Sequence, residues 1–114
     1  MTSGAILIDA QLFASETAAR DGGVLWGWAS EDLNCTLLSW PRGGGVASHI
    51  SSEVDVVMLV LEGSGEVIDD GEVFTLAAPR ALLIPKGRER AIKSTSERFT
   101  YLSVHKKRRG LMPV

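Results

Sequence analysis

The chain has 114 residues, 45% of them hydrophobic and 23% charged, with a net charge of -2. That length suits one domain with a modest core, and the balance excludes a disordered chain. A slightly acidic total also argues against a protein built around nucleic acid or an anionic membrane.

The single cysteine, Cys35, rules out an intrachain disulfide and a thiolate zinc knuckle. It lies in an apolar stretch without a basic neighbour, so we read it as a small hydrophobe. The first residues lack a basic region, an apolar run and a cleavage site, so no secretory leader is expected. The strongly apolar run Val56 to Leu61 is far too short to span a bilayer. The expectation is a cytoplasmic domain covering residues 1–114.

In chain order, Ala5 to Ile8 reads as an apolar, β-branched strand. Weak helical periodicity follows around Ala10 to Arg20, as one turn of helix or a loop. Strands are expected at Val24 to Trp28 and at Leu33 to Trp40. Gly43, Gly44 and Gly45 form a loop or bulge, and no helix follows to make them a phosphate cradle. Val46 to Leu61 carries long strand character. Glu62 to Gly65 is a turn, and Glu66 to Ile68 a short strand. Asp69-Asp70-Gly71 holds the Asp-Gly pair of a tight hairpin, in which both central residues take positive φ. Glu72 to Leu76, Ala81 to Ile84, Arg90 to Lys93 and Phe99 to His105 complete about nine or ten strands. So many short strands with regular turn signals predict an all-β sandwich or barrel.

Val56 to Leu61 is apolar at every position, not at alternate ones. Successive strand side chains face opposite sides, so both faces need cover, the outer one from a second sheet or a second subunit. This leads us to expect a homodimer. Lys106 to Arg109 is the one basic run, read as a solvated exit from the last strand.

Several residues together resemble the two signature motifs of the small cupins: Gly45, His49, Val60 to Val67, Asp70-Gly71-Glu72 and Ile84-Pro85-Lys86-Gly87. The resemblance covers about Gly45 to Ser94. It implies a double-stranded β-helix, a jelly-roll barrel with a pocket at its mouth. The family's metal ligands transfer incompletely. His49 matches the first histidine, but the second falls on Ser51 and the last on Arg90. The glutamate falls on Asp55, or on Val56 if counted back from Gly63. The asparagine position is Ser94, and the second motif's first glycine is Pro79.

A divalent ion needs several converging donors, and a fixed guanidinium repels it. No metal is therefore favoured. A rearranged set of His49, Glu53, Asp55 and His105 stays open, since His49, Ser51, Glu53 and Asp55 share one side of an ideal strand. The expected pocket comprises His49, Ser51, Asp55, Arg90, Met58 and Tyr101, with Arg90 and Asp55 as a possible charge pair. Trp26, Trp28 and Trp40 are read first as core or interface packing.

Two functions follow from the resemblance. The first is a small-molecule-binding cupin with a degenerate, metal-free pocket for a polar or anionic ligand. The second is a metal-dependent enzyme of isomerase or dioxygenase type using the rearranged ligands. Whether the chain is catalytic stays open at this point, and neither nucleic acid nor membrane is expected as a partner.

Overall fold

The computed structural model describes residues 5–9, 22–50 and 53–107. These hold nine strands: β1 (Gly23–Ala29), β2 (Leu33–Pro41), β3 (Gly45–Ile50), β4 (Val56–Glu62), β5 (Ser64–Asp69), β6 (Glu72–Ala77), β7 (Ala81–Ile84), β8 (Glu89–Ser94) and β9 (Arg98–Lys106). They form a five-stranded sheet, β1-β2-β9-β4-β7, and a four-stranded sheet, β3-β8-β5-β6. Every pairing is antiparallel. No helix among the described residues is long and apolar enough to cross a membrane.

From β3 onward the chain passes back and forth between the sheets, which winds it into a double-stranded β-helix. The tightest passage is between β4 and β5, where Gly63 alone makes the corner. Its φ is +74°, and a Cβ there would lie 1.8 Å from the carbonyl oxygen of Arg98. Only glycine accepts both conditions. The return from β8 to β9 crosses at the same corner. Ser64 N–H donates to Ser96 Oγ at 3.0 Å, and Thr95 N–H to the Ser64 carbonyl at 3.1 Å. The hairpin between β5 and β6 turns at Asp70 and Gly71, with φ of +47° and +88°. This is the paired positive φ that the Asp-Gly sequence predicts.

The core lies between the sheets. Met58, Val60, Val67, Leu76, Ile84, Ile92, Phe99 and Tyr101 are buried together. On β4 the alternation is plain. Val56, Met58 and Val60 point inward and are at most 4% exposed, whereas Val57 is 44% and Leu61 37% exposed. No second sheet among the described residues covers that outer side.

Three expectations need correction. Residues 5–9 carry no strand, and Ile6 and Leu7 are exposed. An apolar β-branched run satisfies strand propensity, but a strand also needs a place in a sheet, and neither described sheet includes residues 5–9. The stretch Val46 to Leu61 divides into β3 and β4, which belong to different sheets. Gly45 opens β3 rather than extending a loop. The expected helical turn at residues 10–20 lies outside the described residues.

Candidate functional site

Because β3 and β8 face β2, β4, β7 and β9, their inward side chains enclose a cavity of about 120 Å³. Leu38, Val46, Val56, Met58, Ile84 and Ile92 form its apolar wall. Four polar side chains complete it: His49, Arg90, Tyr101 and Ser103.

His49 on β3 and Arg90 on β8 are direct register partners. Facing residues of an antiparallel pair share one side of the sheet, which brings the two to one cavity. His49 is exposed at the rim. Its Nδ1 lies 3.0 Å from the Ala47 carbonyl oxygen. A carbonyl only accepts, so Nδ1 carries the proton, and Nε2 is the acceptor nitrogen of the neutral ring.

Arg90 is 6% exposed. Its neighbour across β5 is Asp69, which is also buried. Asp69 Oδ2 accepts from Arg88 Nε at 2.8 Å. Its other oxygen, Oδ1, is buried with no hydrogen bond. The strand thus sets two arginines beside one buried carboxylate. Asp70, which Arg88 Nη1 approaches at 3.8 Å, is exposed.

Tyr101 is 2% exposed. Trp40 Nε1 donates to its hydroxyl oxygen at 3.0 Å. Its ring lies 5.2 Å from that of Phe99, tilted by 46°. Burial pushes the Tyr101 hydroxyl above its ordinary range. The Trp40 hydrogen bond and the Arg90 charge offset this in part.

Of the expected pocket residues, His49, Met58, Arg90 and Tyr101 line this cavity, and Ser51 lies outside the described residues. Asp55 does not line it. Its Oδ1 accepts from the Lys86 backbone N–H at 2.9 Å and so braces the Ile-Pro-Lys-Gly turn. The anticipated Asp55–Arg90 pair is replaced by the Arg88–Asp69 pair, because Asp55 precedes β4 instead of continuing β3.

Glu53, Asp55 and His105 line a second cavity of about 440 Å³ with Leu33, Val57, Val104, Lys86 and Lys106. The rearranged metal set is therefore divided, with His49 in one cavity and the other three in another. The single ideal strand that would have aligned His49, Glu53 and Asp55 does not exist, since β3 ends at Ile50. Among the described residues no three or more His, Cys, Asp or Glu side chains stand where they would hold a metal ion. The donors around Arg90 do not fit a divalent cation, because a buried guanidinium occupies the place of a ligand.

Sequence reasoning missed Ser103, two residues after Tyr101 on the same side of β9. It also missed the Trp40–Tyr101 bond and the burial of Asp69 against Arg88. The period of two carries the first signal once Tyr101 is placed inward. The other two depend on pairings between distant strands.

No protein-family model matches the sequence, and no curated protein matches it. The fold is similar to many solved structures. A conserved protein with a double-stranded β-helix domain from Klebsiella pneumoniae superposes with a TM-score of 0.79 at 16% identity, covering 93% of this chain and 88% of that one. A cupin superfamily protein from Desulfitobacterium hafniense gives 0.74 at 24% identity, covering 95% of both chains. A cupin protein from Bacteroides fragilis gives 0.71 at 21% identity, covering 100% of this chain and 92% of that one. At these identities the likeness carries the fold alone. By its winding between two antiparallel sheets and by these likenesses, the chain is a small domain of the cupin double-stranded β-helix fold.

Proposed function

We propose that the domain binds a small carboxylate without a metal ion, holding it in the cavity of Arg90, Tyr101 and His49. The observation that carries this reading is an arginine 6% exposed at the wall of a cavity whose lining is mostly apolar. A guanidinium offers a planar fork that matches a carboxylate, and low surrounding polarity strengthens the pairing. The Tyr101 oxygen already accepts from Trp40, so its own O–H is the donor directed to a ligand. His49 stands at the rim with Nε2 as acceptor, suited to a hydroxyl or amide N–H at the mouth. The reading is one of binding, and no chemical step is derived from it. The single, half-buried Cys35 fits a reducing, cytoplasmic setting.

The test is calorimetric titration with formate and acetate, on the native chain and on Arg90→Gln. Saturable binding weakened at least tenfold in the variant is expected. Equal binding by both proteins overturns the reading. Element analysis of protein purified without chelators tests the metal-free part. Stoichiometric metal that disappears in His49→Ala would restore the metal-dependent alternative.

For assembly, we propose a homodimer through the outer face of the five-stranded sheet. Two register rows cross all five strands there. One runs Trp28, Cys35, Val104, Val57, Leu83, and the next Trp26, Leu37, Leu102, Leu59, Ala81. Neither row contains a charge. Trp28, Val57 and Leu83 are 38%, 44% and 62% exposed. Leu37 in the second row is buried within the chain itself, so the exposed apolar positions of the first row are the ones that favour association. The adjoining cavity rim carries Lys86 and Lys106 beside Glu53 and Asp55, so the face holds charges of both signs and no excess of one that would repel a second copy.

A further inference from the structure

We infer that the ligand of this cavity is a short hydroxycarboxylate, of the size of lactate, whose hydroxyl donates to His49. This rests on the carboxylate-binding reading above and adds what the rest of the molecule carries. The sense of each hydrogen bond comes first. Arg90 only donates. It also interacts within the protein, but a guanidinium has five N–H donors, so a bonded arginine still has N–H groups to offer. Tyr101, whose oxygen accepts from Trp40, has an O–H to give. A carboxylate only accepts, and so matches both. His49 is the opposite case. Its Nδ1–H is directed to the Ala47 carbonyl at 3.0 Å, which leaves Nε2 as an acceptor at the rim. A carboxylate oxygen set against that lone pair gains no hydrogen bond. The ligand group beside His49 is therefore a donor.

An ammonium, an amide N–H and a hydroxyl all donate. His49 and Arg90 are direct register partners, so an ammonium at His49 would lie beside a guanidinium of like charge. An amide meets a limit of size. The cavity is about 120 Å³. An apolar cavity of roughly 150 Å³ holds benzene, with its six heavy atoms, so about five fit inside here. Lactate or 3-hydroxypropionate fills that space and sets its hydroxyl at the rim, whereas an N-acyl amino acid exceeds it. A hydroxyl also accepts as well as donates. Ser103, two residues beyond Tyr101 on β9, lines the same cavity and can give its own O–H to the ligand oxygen. The carbons between the two polar groups lie against Met58 and Ile92.

The experiment is calorimetry with both enantiomers of lactate, propionate, alanine, N-acetylglycine and the neutral lactamide. The proteins are the native chain, Arg90→Gln, His49→Phe and His49→Gln, each checked for native circular dichroism. The better enantiomer of lactate should bind about three- to tenfold tighter than propionate, the same acid without the hydroxyl. It should also bind tighter than alanine and N-acetylglycine. Arg90→Gln should weaken lactate by about tenfold or more. His49→Phe, which has no acceptor, should erase the advantage of lactate over propionate. His49→Gln, which keeps a side-chain oxygen to accept, should retain part of it. If propionate equals lactate in the native chain and both depend on Arg90, the hydroxyl assignment falls and the carboxylate reading stands. If lactamide equals lactate, the carboxylate reading itself falls. Alanine or N-acetylglycine binding as tightly as lactate assigns the donor to nitrogen and overturns the inference. An advantage of lactate that survives His49→Phe overturns it as well.

Discussion

The indole N–H of Trp40 donates to the hydroxyl of Tyr101 across 3.0 Å, joining β2 to β9 at the wall of the cavity. An indole only donates, so this bond fixes the tyrosine oxygen as acceptor and leaves its proton to donate elsewhere. The same bond stabilises the phenolate against the larger opposing effect of burial.

Tyr101 is the one tyrosine in the chain, so tyrosinate absorbance reports it alone. Its midpoint should lie above the ordinary value of about 10. A raised folded value means that, above that pH, the unfolded chain loses the proton while the folded chain keeps it. The stabilisation is complete below the unfolded value and lost as pH rises through the folded one. Chemical denaturation followed across this window should show stability falling with pH. A midpoint at or below 10 contradicts the described burial.

Gly63 and Gly71 both have positive φ, but their surroundings differ. A Cβ on Gly71 meets nothing within 4 Å, whereas one on Gly63 collides with the Arg98 backbone. Gly71→Ala should cost only the conformational term, about 1–2 kcal/mol. Gly63→Ala adds overpacking against main chain, for a total of about 2–5 kcal/mol. Urea unfolding of the two variants measures the difference, and equal costs would mean that the corner relaxes freely.

Arg88 holds Asp69, whose side chain is 10% exposed. Arg88→Met removes that hydrogen bond from a buried carboxylate and should destabilise by about 1–3 kcal/mol. Asp70→Asn loses only the exposed 3.8 Å contact and should change stability by less than about 1 kcal/mol. It retains an oxygen to accept the Glu89 N–H, now bonded at 2.8 Å. The comparison fails if the two variants unfold at the same urea concentration.

Self-association is checked by light scattering at micromolar concentration. The native chain should give the mass of two copies. Val57→Asp and Leu83→Asp, both on exposed positions of the outer rows, should give single copies with unchanged circular dichroism. A native chain that is a stable monomer would sink the proposed contact.

The sequence by itself determined what depends on neighbours in the chain. The Asp70-Gly71 turn was legible because two adjacent residues supply both positive φ angles. Most strands were legible because alternation and turn residues repeat over a few positions, and the cupin resemblance of Gly45 to Ser94 supplied the winding. Tertiary structure decided what depends on register. His49 and Arg90 meet because β3 pairs with β8 at that step, whereas Asp55 turns to Lys86 because β3 and β4 are separate strands. Trp40 finds Tyr101 from 61 residues away. No local pattern encodes such a contact, since it arises only when the sheet brings the two strands together and burial makes each polar group seek a partner.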